Sequence, residues 1–164
     1  MKFLLVLRHA KSSWKHPDVN DHDRPLNKRG RHDAPHMGEL LQNEDIVQDL
    51  IISSTAKRAR STAKAVAKAA EFKGHITLKQ SLYATPPTAY IDVLHELSNE
   101  HTRVLIVGHN PGLEQLVNML TGEEHALPTC SLVHVQLRIN SWSEMNNKTK
   151  GRLLRMWRPR DLNQ

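Results

Sequence analysis

Two short apolar runs constrain this chain more than any other feature, because both end on a histidine. Phe3 to Leu7 leads into Arg8 and His9, and the apolar stretch within Arg103 to Gly108 (RVLIVG) leads into His109. Each is far shorter than the roughly 18 apolar residues that cross a bilayer. Neither alternates with polar residues, so each reads as a strand covered on both faces, as in a parallel sheet. In open α/β sheets, chemistry gathers beyond the carboxyl ends of the strands. Arg8, His9 and His109 are therefore candidates for one active site.

The segments between these runs predict the rest of the fold. Ala10 to Asn27 is polar, with Pro17, Pro25 and several Asp and Asn, and reads as a long loop. A long ordered loop after a first strand is often functional. Asn27 caps a helix reaching Asn43, in which Gly30 permits close approach and Pro35 marks a kink or a later start. Asp49 to Ser53 is a strand. Ala56 to Phe72, rich in Ala, Lys and Arg, is a helix closed by Gly74. His75 to Lys79 is a short strand, and Thr88 to Asn99 has helical periodicity. Asn110-Pro111-Gly112 turns the chain into a helix from Leu113 to Leu120, closed by Gly122. Ser131 to Ile139 and Arg152 to Trp157 are the last strands, the final one near an edge. The expectation is a three-layer α/β/α sandwich with a mostly parallel central sheet, formed by residues 1–164 as one domain. Only the polar stretch Ser141 to Lys150 has a composition that suits disorder.

Charge narrows the function classes. The formal net charge is +6, with eleven histidines besides. Such a balance suits an anionic substrate or nucleic acid. Aromatic residues are scarce and no nucleic-acid-binding motif is present, which disfavours nucleic acid. One cysteine, Cys130, excludes an intramolecular disulfide and suits a reducing compartment. The opening MKFLLVL imitates a signal peptide, but Arg8 interrupts it and no small-residue cleavage site follows. A cytoplasmic location without a membrane segment is expected.

A third strand, LIIS, leads into the helix that carries Arg58 and Arg60 on its first turns. If the three strands lie side by side, their ends bring together His9, His109, Arg8 and one helix arginine. Helix N-termini after Ser54 and Gly112 add positive potential. Guanidinium forks match phosphoryl oxygens and stay charged at neutral pH. Nearby cations favour the neutral, nucleophilic imidazole. His9 could then attack phosphorus in line and form a covalent phosphohistidine, with no metal or cofactor required.

These segments, LRHAKSSW, DRPLNKRG, SSTAKRARSTA and VLIVGHNPG, resemble the histidine phosphatase superfamily, the fold of phosphoglycerate mutase and the acid phosphatases. The short length, RHA in place of the commoner RHG, and the RPL segment are most similar to the SixA-type phosphohistidine phosphatase branch. The closing RPRDL also resembles small members of that branch. The resemblance implies a phosphoglycerate mutase-like sandwich. It implies His9 as nucleophile, Arg8 and Arg58 as phosphate clamps, and His109 as the second histidine on the phosphoryl group. Arg24 of the RPL segment is expected at the rim, binding phosphate, whereas Arg60 falls on a variable, solvated position. The implied partner is a phosphohistidine-bearing protein such as a phosphotransfer domain.

One departure bears on substrate. Larger members supply a carboxylic acid to protonate the leaving oxygen, and the loop expected to carry it, LYATPPT (Leu82 to Thr88), holds no Asp or Glu. Asp18, Asp21 and Asp23 are possible substitutes that spacing does not separate. An alkoxide leaving group needs a proton, whereas a phosphohistidine whose ring is already protonated leaves as neutral imidazole. General-acid help is worth about 10²- to 10⁴-fold, so its loss harms phosphomonoesters more than phosphoramidates. Two other readings stand beside this one: a small-molecule phosphomonoester phosphatase or mutase, and a non-catalytic phosphate- or nucleic-acid-binding module.

Other candidates are weaker. Cys130 lacks the Cys-x5-Arg cradle of cysteine phosphatases, since Gln136 stands where the arginine belongs, and it reads as a buried thiol. His32 and His36, and the His and Asp of HPDVNDHD, show no recognised metal-ligand spacing. No phosphate-binding glycine loop followed by Lys and Ser/Thr is present, so nucleoside triphosphate hydrolysis has no support.

Overall fold

The computed structural model describes residues 1–162. Six strands form one sheet in the order β3-β2-β4-β1-β5-β6. They are β1 (Lys2–Arg8), β2 (Leu50–Ser54), β3 (Ile76–Lys79), β4 (Arg103–Gly108), β5 (Leu132–Leu137) and β6 (Gly151–Trp157). Pairings among β3, β2, β4 and β1 are parallel, while β5 and β6 join antiparallel at one side. β1 and β4, the two apolar runs, lie adjacent at the centre. Their burial on both faces explains the missing alternation in sequence.

Side chains of β1 divide by the two-residue pleat. Leu4 and Val6 join the core beneath α3 (Pro87–His95) and α4 (Gly112–Thr121). Leu5 and Leu7 join the core beneath α1 (Lys28–Asn43) and α2 (Lys57–Ala69). The result is the expected three-layer α/β/α arrangement, with a short α5 (Pro159–Leu162) after β6.

Several local expectations need correction. The α1 helix starts at Lys28 and runs through Pro35 to Asn43, so the proline imposes no later start. Its cap is as expected: the Asn27 side chain accepts from the Gly30 N–H at 2.9 Å. Gly30 also faces the Lys11 backbone, which an added Cβ would strike. The α2 helix ends at Ala69, and Glu71 rather than Gly74 takes the left-handed conformation, with φ 56°. The stretch around Ser141 is ordered by one large side chain. Trp142 is fully buried and donates its indole N–H to the His101 carbonyl at 2.7 Å. The Glu144 carboxylate accepts the backbone N–H groups of Asn140 and Ser141 at 2.8 and 2.7 Å. Polar composition concealed this anchor, because one buried tryptophan offsets much of the ordering cost of a short loop.

Candidate active site

The site is built by the register of β1 against β4. Arg8 pairs with Gly108, so the next residue on each strand is a histidine. His9 and His109 emerge side by side, with ring centroids 5.2 Å apart. The His9 backbone is fixed on both sides: its N–H donates to the Gly108 carbonyl, and its carbonyl accepts from the Cys130 N–H, each at 3.0 Å.

The His9 ring is also oriented. Nδ1 lies 2.7 Å from the Ala10 carbonyl. A carbonyl can only accept, so Nδ1 carries the proton and Nε2 keeps its lone pair. Burial pushes the imidazole pKa down to about 3, against the opposing Ala10 hydrogen bond. The neighbouring His109 ring, which cannot share a second proton, and the charges of Arg58 and Arg8 lower it further. His9 is thus a neutral imidazole with a free nucleophilic nitrogen at physiological pH.

His109 is held similarly. Its Nε2 is 2.8 Å from the Ser54 hydroxyl at the end of β2. Its backbone N–H donates to the Tyr90 hydroxyl at 3.1 Å. That approach requires Gly108, where a Cβ would collide with the same hydroxyl. Burial and then Arg58 lower the His109 pKa to about 4.

Two guanidinium groups complete the centre. Arg8 donates from one terminal nitrogen to the Leu127 carbonyl at 2.9 Å. Arg58, on the first turn of α2, is 6 % exposed. Its two terminal nitrogens grip Asp21 from the first loop, one at the carbonyl (2.7 Å) and one at Oδ2 (3.0 Å). Thr62, one turn along α2, ties the clamp to the nucleophile: it donates to the Arg58 carbonyl at 2.7 Å and accepts the Ala10 N–H at 2.9 Å. Three buried nitrogens here, Nε of Arg8, Nε of Arg58 and Nδ1 of His109, have no hydrogen-bond partner among the described residues. A buried unpaired polar group costs about 1–3 kcal/mol. Several in one place mark where an anionic oxygen group would be bound.

Comparison with known proteins agrees with this geometry. The family model of the histidine phosphatase superfamily (branch 1) matches residues 4–82. An uncharacterised chloroplastic protein of Arabidopsis thaliana is 32% identical, across 86% of this chain and 69% of its own. A crystal structure of a candidate phosphohistidine phosphatase SixA from Agrobacterium tumefaciens is 30% identical, with a TM-score of 0.82 over 96% of this chain and 98% of that one. The chain belongs to the histidine phosphatase superfamily. Within it, the chain is of SixA type. The fold is likewise shared with a protein histidine phosphatase SixA complexed with tungstate, at a TM-score of 0.84, 21% identity and coverage of 98% and 99%.

Within the histidine phosphatase fold, four of the five expected site residues converge: Arg8, His9, Arg58 and His109. Arg24 does not join them. It is buried in the first loop, donating from Nε to Asp21 Oδ1 (3.1 Å) and from a terminal nitrogen to the Ser12 hydroxyl (2.6 Å). Its guanidinium stacks 3.6 Å from the exposed Trp14 ring. Arg24 therefore braces the loop that presents Asp21, and it is linked to Arg58 through the two oxygens of that carboxylate. Arg60 donates to the Thr55 carbonyl at 2.7 Å, away from the clamp.

Sequence spacing did not separate the three loop aspartates, but the structure selects Asp21. Its carboxylate accepts from Arg24, Arg58 and the Tyr83 hydroxyl, the last at 2.6 Å. The Tyr83 bond, with the two arginines, holds the carboxyl far below the usual carboxylate range. Tyr83 lies in the loop expected to supply an acid, and its ring packs edge-on against His109 at 5.7 Å. A search restricted to Asp and Glu passes over a phenol, which is why Tyr83 was missed. Ser54, Thr62 and Tyr90 gave no signal, because their roles are single hydroxyl contacts. Cys130 is fully buried, and burial pushes its thiol up to about 12, so it is inert at neutral pH. No helix of the described residues is long and apolar enough to cross a membrane.

Proposed function

We propose that this protein is a metal-independent phosphohistidine phosphatase acting on a protein. The phosphoryl group passes from a substrate histidine to Nε2 of His9 and then to water. Arg8 and Arg58 bind the phosphoryl oxygens, and His109 stabilises the charge in transfer. In the first step the bond from phosphorus to His9 Nε2 forms as the bond to the substrate nitrogen breaks. The substrate ring, protonated beforehand, leaves as neutral imidazole. Water then attacks the phosphorus of the His9 adduct, releasing phosphate and restoring neutral His9.

One observation carries this reading: among the described residues, no protonated carboxyl is prepared beside the imidazole pair. Asp21, the carboxylate bonded to the Arg58 clamp, is held ionised by Tyr83, Arg24 and Arg58. An ionised carboxylate cannot protonate an alkoxide, whereas neutral imidazole needs no such help. Asp21 is also half-exposed, and Trp14, stacked on the Arg24 that holds Asp21, is 78% exposed, which suits a protein-borne group. A phosphotransfer domain in the cytoplasm is the proposed partner.

Small-molecule phosphomonoester hydrolysis is the second reading, and Asp21 is again its observation. That carboxylate could serve as acid only after releasing Arg58 and taking up a proton. A panel of a phosphohistidine protein and phosphomonoesters, with and without chelator, separates the two. The proposal expects preference for phosphohistidine, no chelator effect, and loss of turnover and of radiolabelled phosphoenzyme in His9→Ala. Preference for monoesters, chelator sensitivity or an active His9→Ala would overturn it.

A further inference from the structure

A second basic cleft opens at the same end of the sheet as the histidine pair. Leu7 pairs with Leu132, and Leu132 pairs with Trp157. β6 is antiparallel to β5, which is antiparallel to β1, so β6 and β1 run in the same direction. Arg158 therefore follows Trp157 as Arg8 follows Leu7, and the two arginines leave the same row of the sheet. The RPRDL segment follows there, and the catalytic centre makes no use of it.

This cleft, about 220 Å³, is lined by Lys11, Arg29, Arg158 and Arg160, with Thr129 and Asp33. Four cations face one carboxylate on its wall. Asp33 is 4% exposed and is already engaged by Arg29 at 3.2 Å, with His32 at 3.3 Å. The other three cations have little to neutralise them. The Lys11 and Arg158 side chains form no hydrogen bond or ion pair among the described residues, and Nε of Arg158 is buried without a partner. Arg160, largely exposed, comes only within 4.0 Å of Asp161, whose other oxygen accepts the Arg158 backbone N–H at 3.0 Å. Like charges converging on a concave surface repel one another, and an incoming anion relieves that repulsion. Guanidinium groups suit planar carboxylates in particular.

The cleft also borders the active site. Lys11 follows His9 by two residues, and Thr129 precedes Cys130, whose N–H holds the His9 carbonyl. We propose that this cleft is a docking subsite for an acidic segment of the protein substrate, engaging its carboxylates while the phosphohistidine reaches His9. The proposal rests on the protein-substrate reading above. The exposed Lys11, Arg29 and Arg160 side chains suit an acidic protein surface better than an enclosed small molecule. Charge placed there acts mainly on encounter and affinity, and leaves the chemical step untouched.

The test compares wild type with an Arg158→Gln/Arg160→Gln double variant and an Arg158→Lys/Arg160→Lys variant, each checked for an unchanged melting temperature. Fluorescence anisotropy with a labelled oligoglutamate peptide should show binding to wild type that weakens about tenfold in the Gln variant and recovers in the Lys variant. KM for a phosphorylated phosphotransfer domain should rise in parallel, with kcat and the turnover of a small phosphoramidate unchanged. Equal peptide affinity in wild type and Gln variant, or no binding to wild type, overturns the proposal. Tighter, arginine-dependent binding of a labelled RNA oligonucleotide also overturns it, and assigns the cleft to nucleic acid. If the peptide result holds while wild type fails to dephosphorylate phosphohistidine, the acidic docking site stands and the substrate reading falls.

Discussion

Asp21 and Arg58 are joined by two hydrogen bonds, through the Asp21 carbonyl at 2.7 Å and its Oδ2 at 3.0 Å. The clamp that would bind a phosphoryl group is thus already engaged by an anion from the first loop. Phosphate must compete with this carboxylate, whose own position is set by Tyr83 and Arg24.

Asp21→Asn should therefore tighten the binding of inorganic phosphate. The carboxylate is half-exposed, so solvent screens the gain. An increase in affinity of about three- to tenfold is expected, measured as the inhibition constant for phosphate. Unchanged or weaker phosphate inhibition would show that the Asp21 contact does not compete with the anion.

Arg58→Ala should cost far more than Asp21→Asn. Removing one preorganised donor to a transition-state oxyanion lowers kcat by about 10²- to 10³-fold. Arg58→Lys should restore only part of it, because a point charge cannot reproduce the guanidinium fork. Single-turnover kinetics of phosphoenzyme formation give the direct reading.

Tyr83→Phe should raise the Asp21 pKa, since the Tyr83 hydrogen bond is the largest influence holding it down. Carboxyl titration by NMR should report that upward shift directly. An unchanged Asp21 titration would remove Tyr83 from the network.

Acid should destabilise the fold through its buried neutral histidines. His9 is lowered to about 3, and His109 and His134 to about 4, each first by burial. Below the ordinary histidine pKa of about 6.5 the unfolded chain takes up protons that the native chain refuses. Stability therefore falls as pH drops from about 6.5 toward about 4, by up to roughly 1.4 kcal/mol per pH unit for each such histidine. Chemical denaturation across that range should show the slope, and His109→Gln should reduce it.

Thr62→Val should weaken both fold and catalysis. It deletes a fully buried hydroxyl that bonds the Ala10 N–H and the Arg58 carbonyl, leaving both without that partner. A loss of about 1–3 kcal/mol is expected by urea denaturation. The accompanying fall in kcat should exceed that of a surface substitution such as Lys64→Ala, because Thr62 spaces nucleophile and clamp.

Much of this molecule was legible because its strongest signals are local. Apolar runs this short and without alternation read as strands covered on both faces, which places the residue after each run at the strand end. His9, His109 and Arg8 followed from that; the helix after β2 offered both Arg58 and Arg60, and the family resemblance chose Arg58. Loop chemistry was less legible. Arg24 had the right charge for a phosphate site, but its neighbours Ser12, Ser13, Trp14 and Asp21 turned it inward. Trp142 ordered a stretch whose average composition suits disorder.

The sequence by itself determined the two buried strands, the histidines that end them and the arginine helix between them, because hydrophobic patterning is written in consecutive residues. Only the tertiary structure decided the partners: Asp21 on Arg58, Tyr83 on Asp21, Ser54 on His109 and Thr62 between Ala10 and Arg58. The Asp21–Arg58, Tyr83–Asp21, Ser54–His109 and Thr62–Ala10 contacts join residues from 37 to 62 positions apart. A hydrogen bond depends on ångström-scale distance and direction. No periodicity along the chain encodes that, and it exists only once the register of β1 against β4 has set the strand ends side by side.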